Sequence, residues 1–157
     1  MHFASAIKEL AEANIYVDEP LDKSLSSVCN KARELANSLK DKPNPLGLII
    51  IDYIGLMTLS TAKKNDSRAD EIRVISGALK TLARELNLPI LVLAQFNRDV
   101  EKRGGKPNIA DLRDSGSLEQ DADVVLLLHR DDYQKDSKGD GTRKFGDKKP
   151  KDLSISQ

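Results

Sequence analysis

Tryptophan is absent from the 157 residues, and aromatic side chains make up only 4% of them. That argues against the stacked rings on which single-strand-binding platforms depend. A single cysteine, Cys29, excludes an intrachain disulfide and any multi-cysteine metal site, and suits a reducing compartment. Net charge is missing as well, because 25 basic side chains balance 25 acidic ones. Without a global positive field, nucleic-acid contact must come from a local patch, or from several copies pooling such patches. No apolar run approaches the roughly 18 residues that a membrane span requires, and Met1 to Leu10 lacks the basic-then-apolar order of a secretion signal. The expectation is a soluble, cytoplasmic chain without membrane contact, long enough for one domain with a real core at about 150 residues per domain.

What is present is alternation. Phe3, Ala6, Ile7, Leu10 and Ala11 share one helical face, and Ile15-Tyr16-Val17 then predicts a short strand before Asp18-Glu19-Pro20. Asp22 or Ser24 can cap a second helix with apolar positions Leu25, Val28, Ala32, Leu35 and Leu39, stopped by Asp41-Lys42-Pro43. Leu46 to Ile51 is almost wholly apolar, as expected of a strand buried on both faces of a parallel sheet. Asp66 or Ser67 opens a third helix carrying Ile72, Ile75, Leu79, Leu82 and Leu86, closed by Asn87 and Pro89. Two further apolar strands are predicted, Ile90 to Ala94 and Asp123 to Leu128, the second after a short helix near Leu118 to Asp121. Strands alternating with helices imply an α/β fold with a parallel sheet. More than half of the residues from Asp131 to Asp152 are charged, which predicts a mobile loop, and Leu153 to Ser156 reads as the start of another strand.

Ligands of open parallel sheets gather at the carboxyl ends of strands, and three places there carry candidate chemistry. Asp52 follows Leu48-Ile49-Ile50-Ile51; a carboxylate at a rigid strand end is a preplaced oxygen ligand for Mg²⁺, usually through water. The same residue can equally cap the strand by bonding neighbouring amides. Gln95 ends the next strand, where a neutral amide can orient a water and sense a γ-phosphate, or simply terminate the strand. The polar string from Asp111 to Asp123 offers the Arg113 guanidinium and the amides of Gly116 and Ser117 to a phosphate. Read by physics alone, it is a turn in which Asp114 or Ser115 caps the short helix. Arg98 to Lys106, around Gly104-Gly105, is a mildly basic loop of the kind usually just solvated.

In order and spacing, L-I-I-I-D-Y-I-G-L-M (Leu48 to Met57), A-Q-F-N-R (Ala94 to Arg98) and D-L-R-D-S-G-S-L-E-Q-D-A-D (Asp111 to Asp123) resemble the C-terminal RecA-like motor domain of DnaB-type replicative DNA helicases. The last string is the specific one, and the resemblance runs from about Ala4 to about Tyr133. It implies a partial RecA-like sheet of the P-loop NTPase class, flanked by helices, in residues 1–130, with 131–152 a charged loop and 153–157 the start of a further strand. It also implies ATP and Mg²⁺ as cofactors, a homo-hexameric ring that pulls single-stranded DNA through its channel, and primase and other replisome proteins as partners. By position Asp52 is similar to the Walker B aspartate, and Gln95 to the glutamine that couples γ-phosphate state to the DNA-facing loops. Arg113, Asp114 and Gly116 resemble the pore-loop residues that hold the DNA backbone. Asp114 stands where the family more often has glutamate; Gly55 and Phe96 replace the more usual glutamine and leucine.

No G-x-x-x-x-G-K-[ST] phosphate cradle occurs: Gly105-Lys106 is followed by Pro107, and the position five before Gly105 is Val100. The strand-end Asp52 is followed by Tyr53, Ile54 and Gly55, so no adjacent glutamate substitutes for the family's catalytic one, and the arginine-finger segment is also lacking. The expectation is the middle of a motor domain, inactive alone, fragile or partner-dependent for want of the sheet's centre. The alternatives are a catalytically dead remnant that binds DNA or helicase subunits, and part of another RecA-like ATPase.

Overall fold

A computed structural model describes residues 2–62, 66–97, 107–112 and 116–128. The charged loop and terminal strand expected at 131–152 and 153–157 lie outside the described residues, as does the basic loop from Arg98 to Lys106. In chain order the elements are helices α1 (His2–Glu12) and α2 (Leu25–Leu39), strand β1 (Ile49–Ile51), a 3₁₀ turn (Ile54–Leu56), helix α3 (Arg68–Leu86), strand β2 (Ile90–Val92), a second 3₁₀ turn (Ile109–Asp111) and helix α4 (Gly116–Asp121).

Helices α2 and α3 begin where their sequences supply a side-chain acceptor for the unpaired amides of a first turn. Ser24 has extended backbone and its hydroxyl accepts from the Ser27 amide at 3.3 Å. The Asp22 carboxylate accepts in turn from the Ser24 amide and hydroxyl, each at 2.9 Å. Ser67 caps α3 by accepting from the Asp70 amide at 3.2 Å, while its hydroxyl donates to the Asp70 carboxylate at 2.6 Å. The far end of α3 closes on Asn87 in the left-handed region (φ 52°), whose N–H donates to the Ala83 and Arg84 carbonyls. Asparagine tolerates that conformation better than most residues.

β1, α3 and β2 form one β-α-β unit. The strands are parallel, with Ile49 opposite Ile90, Ile50 opposite Leu91 and Ile51 opposite Val92. The apolar stripe of α3 (Ile72, Ile75, Leu79, Leu82) is buried and packs with Cys29 from α2 and with Ile54 and Met57 from the turn after β1. Leu25, Val28 and Ala32 of α2, the inward residues Ile51, Ile90 and Val92 of the strands, and Leu118 of α4 close around it. Arg33 of α2 grips Glu85 of α3 with two hydrogen bonds of 2.7 Å, fixing the angle between the helices. An exposed pair of this kind adds little stability but a definite geometry.

Three strand expectations do not hold among the described residues. Ile15-Tyr16-Val17 is exposed and irregular. The only backbone bond there joins the Ile15 amide to the Ala13 carbonyl, and the segment is tethered instead by Lys31 to Asp18 at 2.8 Å. Val124 to Leu128 is likewise irregular, with Val124, Leu126 and Leu128 exposed. The first strand is covered on one face only, since Ile50 and Leu91 are exposed. The first two share a cause: an apolar run becomes a strand only where a neighbouring edge receives its hydrogen bonds, and the described sheet has two strands. The third differs, since β1 is paired and lacks only a layer over its second face among the described residues.

Candidate functional site

Leu93 organises the carboxyl end of the sheet. Its amide donates to the Ile51 carbonyl at 2.9 Å, and its carbonyl accepts from the Ile54 amide at 3.0 Å. The chain from Ile51 to Ile54 is therefore looped over a single residue of the neighbouring strand, and Asp52 sits in that loop with its side chain exposed. The Asp52–Tyr53 peptide bond is cis. Tyr53 folds across Gly55, where an added Cβ would collide with its ring. A larger residue at this position, such as the glutamine that the resemblance leads one to expect, would require the Tyr53 ring to shift.

Gln95 lies two residues beyond Leu93 and is exposed. The next residue, Phe96, forms an antiparallel bridge with Leu112, and the Asn97 amide donates to the Asp111 carbonyl at 2.8 Å. The second 3₁₀ turn is pinned by a reciprocal capping pair, in which the Asp111 carboxylate accepts from the Asn108 amide at 2.8 Å. Backbone hydrogen bonds thus join the Asp52 loop, through Leu93 and Gln95, to the start of the Asp111 string. The path reaches as far as Leu112, the last described residue before Arg113.

Arg113 and Asp114 lie outside the described residues. Gly116 is the first residue of α4, and a Cβ placed there would meet nothing within 4 Å. α4 packs on α3 through half-buried Leu118, and an ion pair of Lys80 with Asp123, two residues beyond α4, holds the chain that follows. The hydrogen bond from Lys80, and after it the charges of Lys80 and Arg84, hold the Asp123 carboxyl below its usual range.

Among the described residues no group of three His, Cys, Asp or Glu side chains gathers to hold a metal. Asp52 can thus supply one carboxylate. This suits Mg²⁺, which keeps several waters and is commonly bound by one or two carboxylates together with substrate phosphates. No helix among the described residues is long and apolar enough to cross a membrane.

Sequence reasoning did not find Arg68, whose guanidinium reaches from the first turn of α3 to the carbonyls of Met57 (2.9 Å), Gly55 (3.0 Å) and Ile54 (3.4 Å), while its other nitrogen pairs with Glu71. A signal was available, because a cation in the first turn of a helix opposes the helix dipole and has to be held there by other acceptors.

The family model for the DnaB-like helicase C terminal domain matches residues 1–156. Among individual proteins, the chain is 45% identical over 130 residues to the replicative DNA helicase DnaB of Mycobacterium leprae (strain TN), covering 82% of this chain and 20% of that protein. It is 42% identical over 134 residues to DnaB of Geobacillus stearothermophilus, covering 84% of this chain and 28% of that one. A solved structure of a DnaB-like replicative helicase, determined with its interactions with primase, superposes with a TM-score of 0.72 at 37% identity over 89% of this chain and 32% of that chain. The chain spans roughly a fifth to a third of the proteins it resembles. With two strands parallel around α3 and this match across nearly its whole length, the chain belongs to the DnaB-like helicase C-terminal domain family.

Proposed function

We propose that these residues form the part of a replicative helicase motor that passes nucleotide state to DNA. The intact motor is a hexameric, cytoplasmic, Mg²⁺-dependent ATPase that translocates on single-stranded DNA and works beside primase. Residues 1–130 are its partial RecA-like unit, 131–152 a charged loop and 153–157 the start of a further strand. Asp52, as the Walker B carboxylate, holds the cation of bound Mg-ATP through water, and Gln95 reads the γ-phosphate. Bound Mg²⁺ neutralises charge on the transferring phosphoryl group.

The reading is carried by one observation: Phe96 and Asn97, directly after Gln95, pair with Leu112 and Asp111. A displacement of Gln95 is thereby transmitted to the loop in which Arg113, Asp114 and Gly116 hold the DNA backbone, Arg113 through its guanidinium and the other two through their amides, since a carboxylate repels phosphate. Open space around Gly116 leaves room for a backbone to approach. No G-x-x-x-x-G-K-[ST] loop lies within the 157 residues, so the chain tested alone is expected not to hydrolyse ATP, and measurable turnover would contradict this account.

The test is made in the full-length helicase that carries these residues. Asp52→Asn abolishes Mg²⁺-dependent hydrolysis. Arg113→Ala weakens single-stranded DNA binding, flattens its dependence on salt, and leaves nucleotide affinity nearly unchanged. Equal loss of DNA and nucleotide binding in Arg113→Ala would show that the residue had been misassigned.

A further inference from the structure

The turn that follows Asp52 is held at both ends. At its start the Ile54 amide is bonded to Leu93; at its close the guanidinium of Arg68 gathers the carbonyls of Ile54, Gly55 and Met57. The Ile54 carbonyl already accepts the turn's own bond from the Met57 amide at 3.1 Å, whereas the Gly55 and Met57 carbonyls lie at the end of the turn, where a helical turn supplies no donor of its own. A guanidinium is permanently charged and presents several donors in a fixed fork. Glu71, one turn along α3, pairs with the other arm of that fork and prevents it from swinging out to water. Both side chains are about two-thirds buried or more, with relative exposures of 35% for Arg68 and 22% for Glu71.

We infer that Arg68 is a positioning residue for Asp52: by fixing the turn, it sets the direction in which the chain leaves β1 and hence where the carboxylate points. The inference rests on the reading of Asp52 as ligand to the cation of Mg-ATP. Removing the guanidinium leaves the side chains of Ile54 and Met57 in the core, at 4% and 3% exposure. The fold is therefore retained while the loop carrying Asp52 loosens. A misplacement of about 1 Å at a reacting centre can cost up to about a hundredfold in rate.

The experiment measures ATP hydrolysis against Mg²⁺ concentration in the full-length helicase, with the number of nucleotide-binding subunits counted in each preparation. Arg68→Ala is expected to lower kcat per binding-competent subunit by about tenfold or more and to raise the Mg²⁺ concentration needed for half-maximal rate. KM for ATP should change less than kcat, and Arg68→Lys should recover part of both losses. A kcat that falls only in proportion to the count of competent subunits, with the Mg²⁺ requirement unchanged, overturns the inference. If Arg68→Ala does not assemble, Glu71→Gln carries the test: a raised Mg²⁺ requirement supports the clamp, and an unchanged one overturns it. Asp52→Asn separates the two layers. Retained hydrolysis in Asp52→Asn refutes the reading of Asp52 itself, whereas abolished hydrolysis beside a silent Arg68→Ala refutes the clamp alone.

Discussion

Asn97→Pro tests the path between the strand end and the polar loop at its narrowest point. Proline has no amide hydrogen, so the substitution deletes the 2.8 Å bond to the Asp111 carbonyl. It also biases the preceding residue toward extended backbone, which Phe96 already adopts in its bridge to Leu112. Measured against Asn97→Ala, which accounts for the lost side chain, the deleted backbone bond is worth about 1 kcal/mol net. At an RT of about 0.6 kcal/mol, this shifts the balance between paired and separated segments about fivefold. If the pairing transmits nucleotide state, stimulation of ATP hydrolysis by single-stranded DNA should fall by about that factor. Hydrolysis without DNA should change much less. Asn97→Ala alters the same side chain but keeps the amide, so the comparison isolates the backbone bond. Steady-state hydrolysis of the full-length helicase with and without single-stranded DNA reads both quantities. Equal stimulation in the proline and alanine variants would refute transmission through this pairing, whatever the basal rates.

Leu82, at 1% exposure in the core cluster, should cost about 2–5 kcal/mol on replacement by alanine. That is a large share of the roughly 5–15 kcal/mol that stabilises an ordinary domain, so a clearly lower urea midpoint, followed by helical circular dichroism, is expected. An unchanged urea midpoint would show that the core is not where it has been placed. Acid should weaken the joint between α2 and α3. The hydrogen bond from Arg33 holds the Glu85 carboxyl below its ordinary 4.5, so its stabilisation is complete above that value and is lost as pH falls through the lower folded value. Arg33→Ala should accordingly flatten the decline of the melting temperature below about pH 4.5, and an identical acid profile would remove the pair from the account.

The helices were legible because several independent signals coincided. In α3 the three-and-four spacing, Ser67 at the start and Asn87 before Pro89 at the end all agree, and the element occupies Arg68–Leu86. The strands carried only one signal, apolar content, which reports a tendency to be covered without naming the covering partner. Ile49–Ile51 and Ile90–Val92 found each other; Ile15 to Val17 and Val124 to Leu128 have the same composition and, among the described residues, no edge to join. Asp52 and Gln95 could be picked out because strand ends are where parallel sheets present polar side chains. The looping of Ile51 and Ile54 over Leu93 could not, since it consists entirely of backbone hydrogen bonds.

α3 contributes more than core to the proposed motor. Its first turn reaches the loop after Asp52 through Arg68, and Lys80, more than three turns further on, holds Asp123 beside α4. Along that helix Ile72, Ile75, Leu79 and Leu82 are all buried, and a closely packed helix is better able to move as a body than to bend. Two connections therefore run from the strand ends to the segment on either side of the proposed DNA loop: one of backbone pairing through Phe96, the other of a rigid helix that bonds the turn after Asp52 through Arg68 and pairs with Asp123 through Lys80. Lys80→Ala breaks the second and leaves the first intact. If the helix transmits part of the signal, this variant should reduce DNA-stimulated hydrolysis, and combined with Asn97→Pro it should reduce it by more than either change alone. A Lys80→Ala helicase with full stimulation would assign the coupling to the backbone path and leave α3 as scaffold.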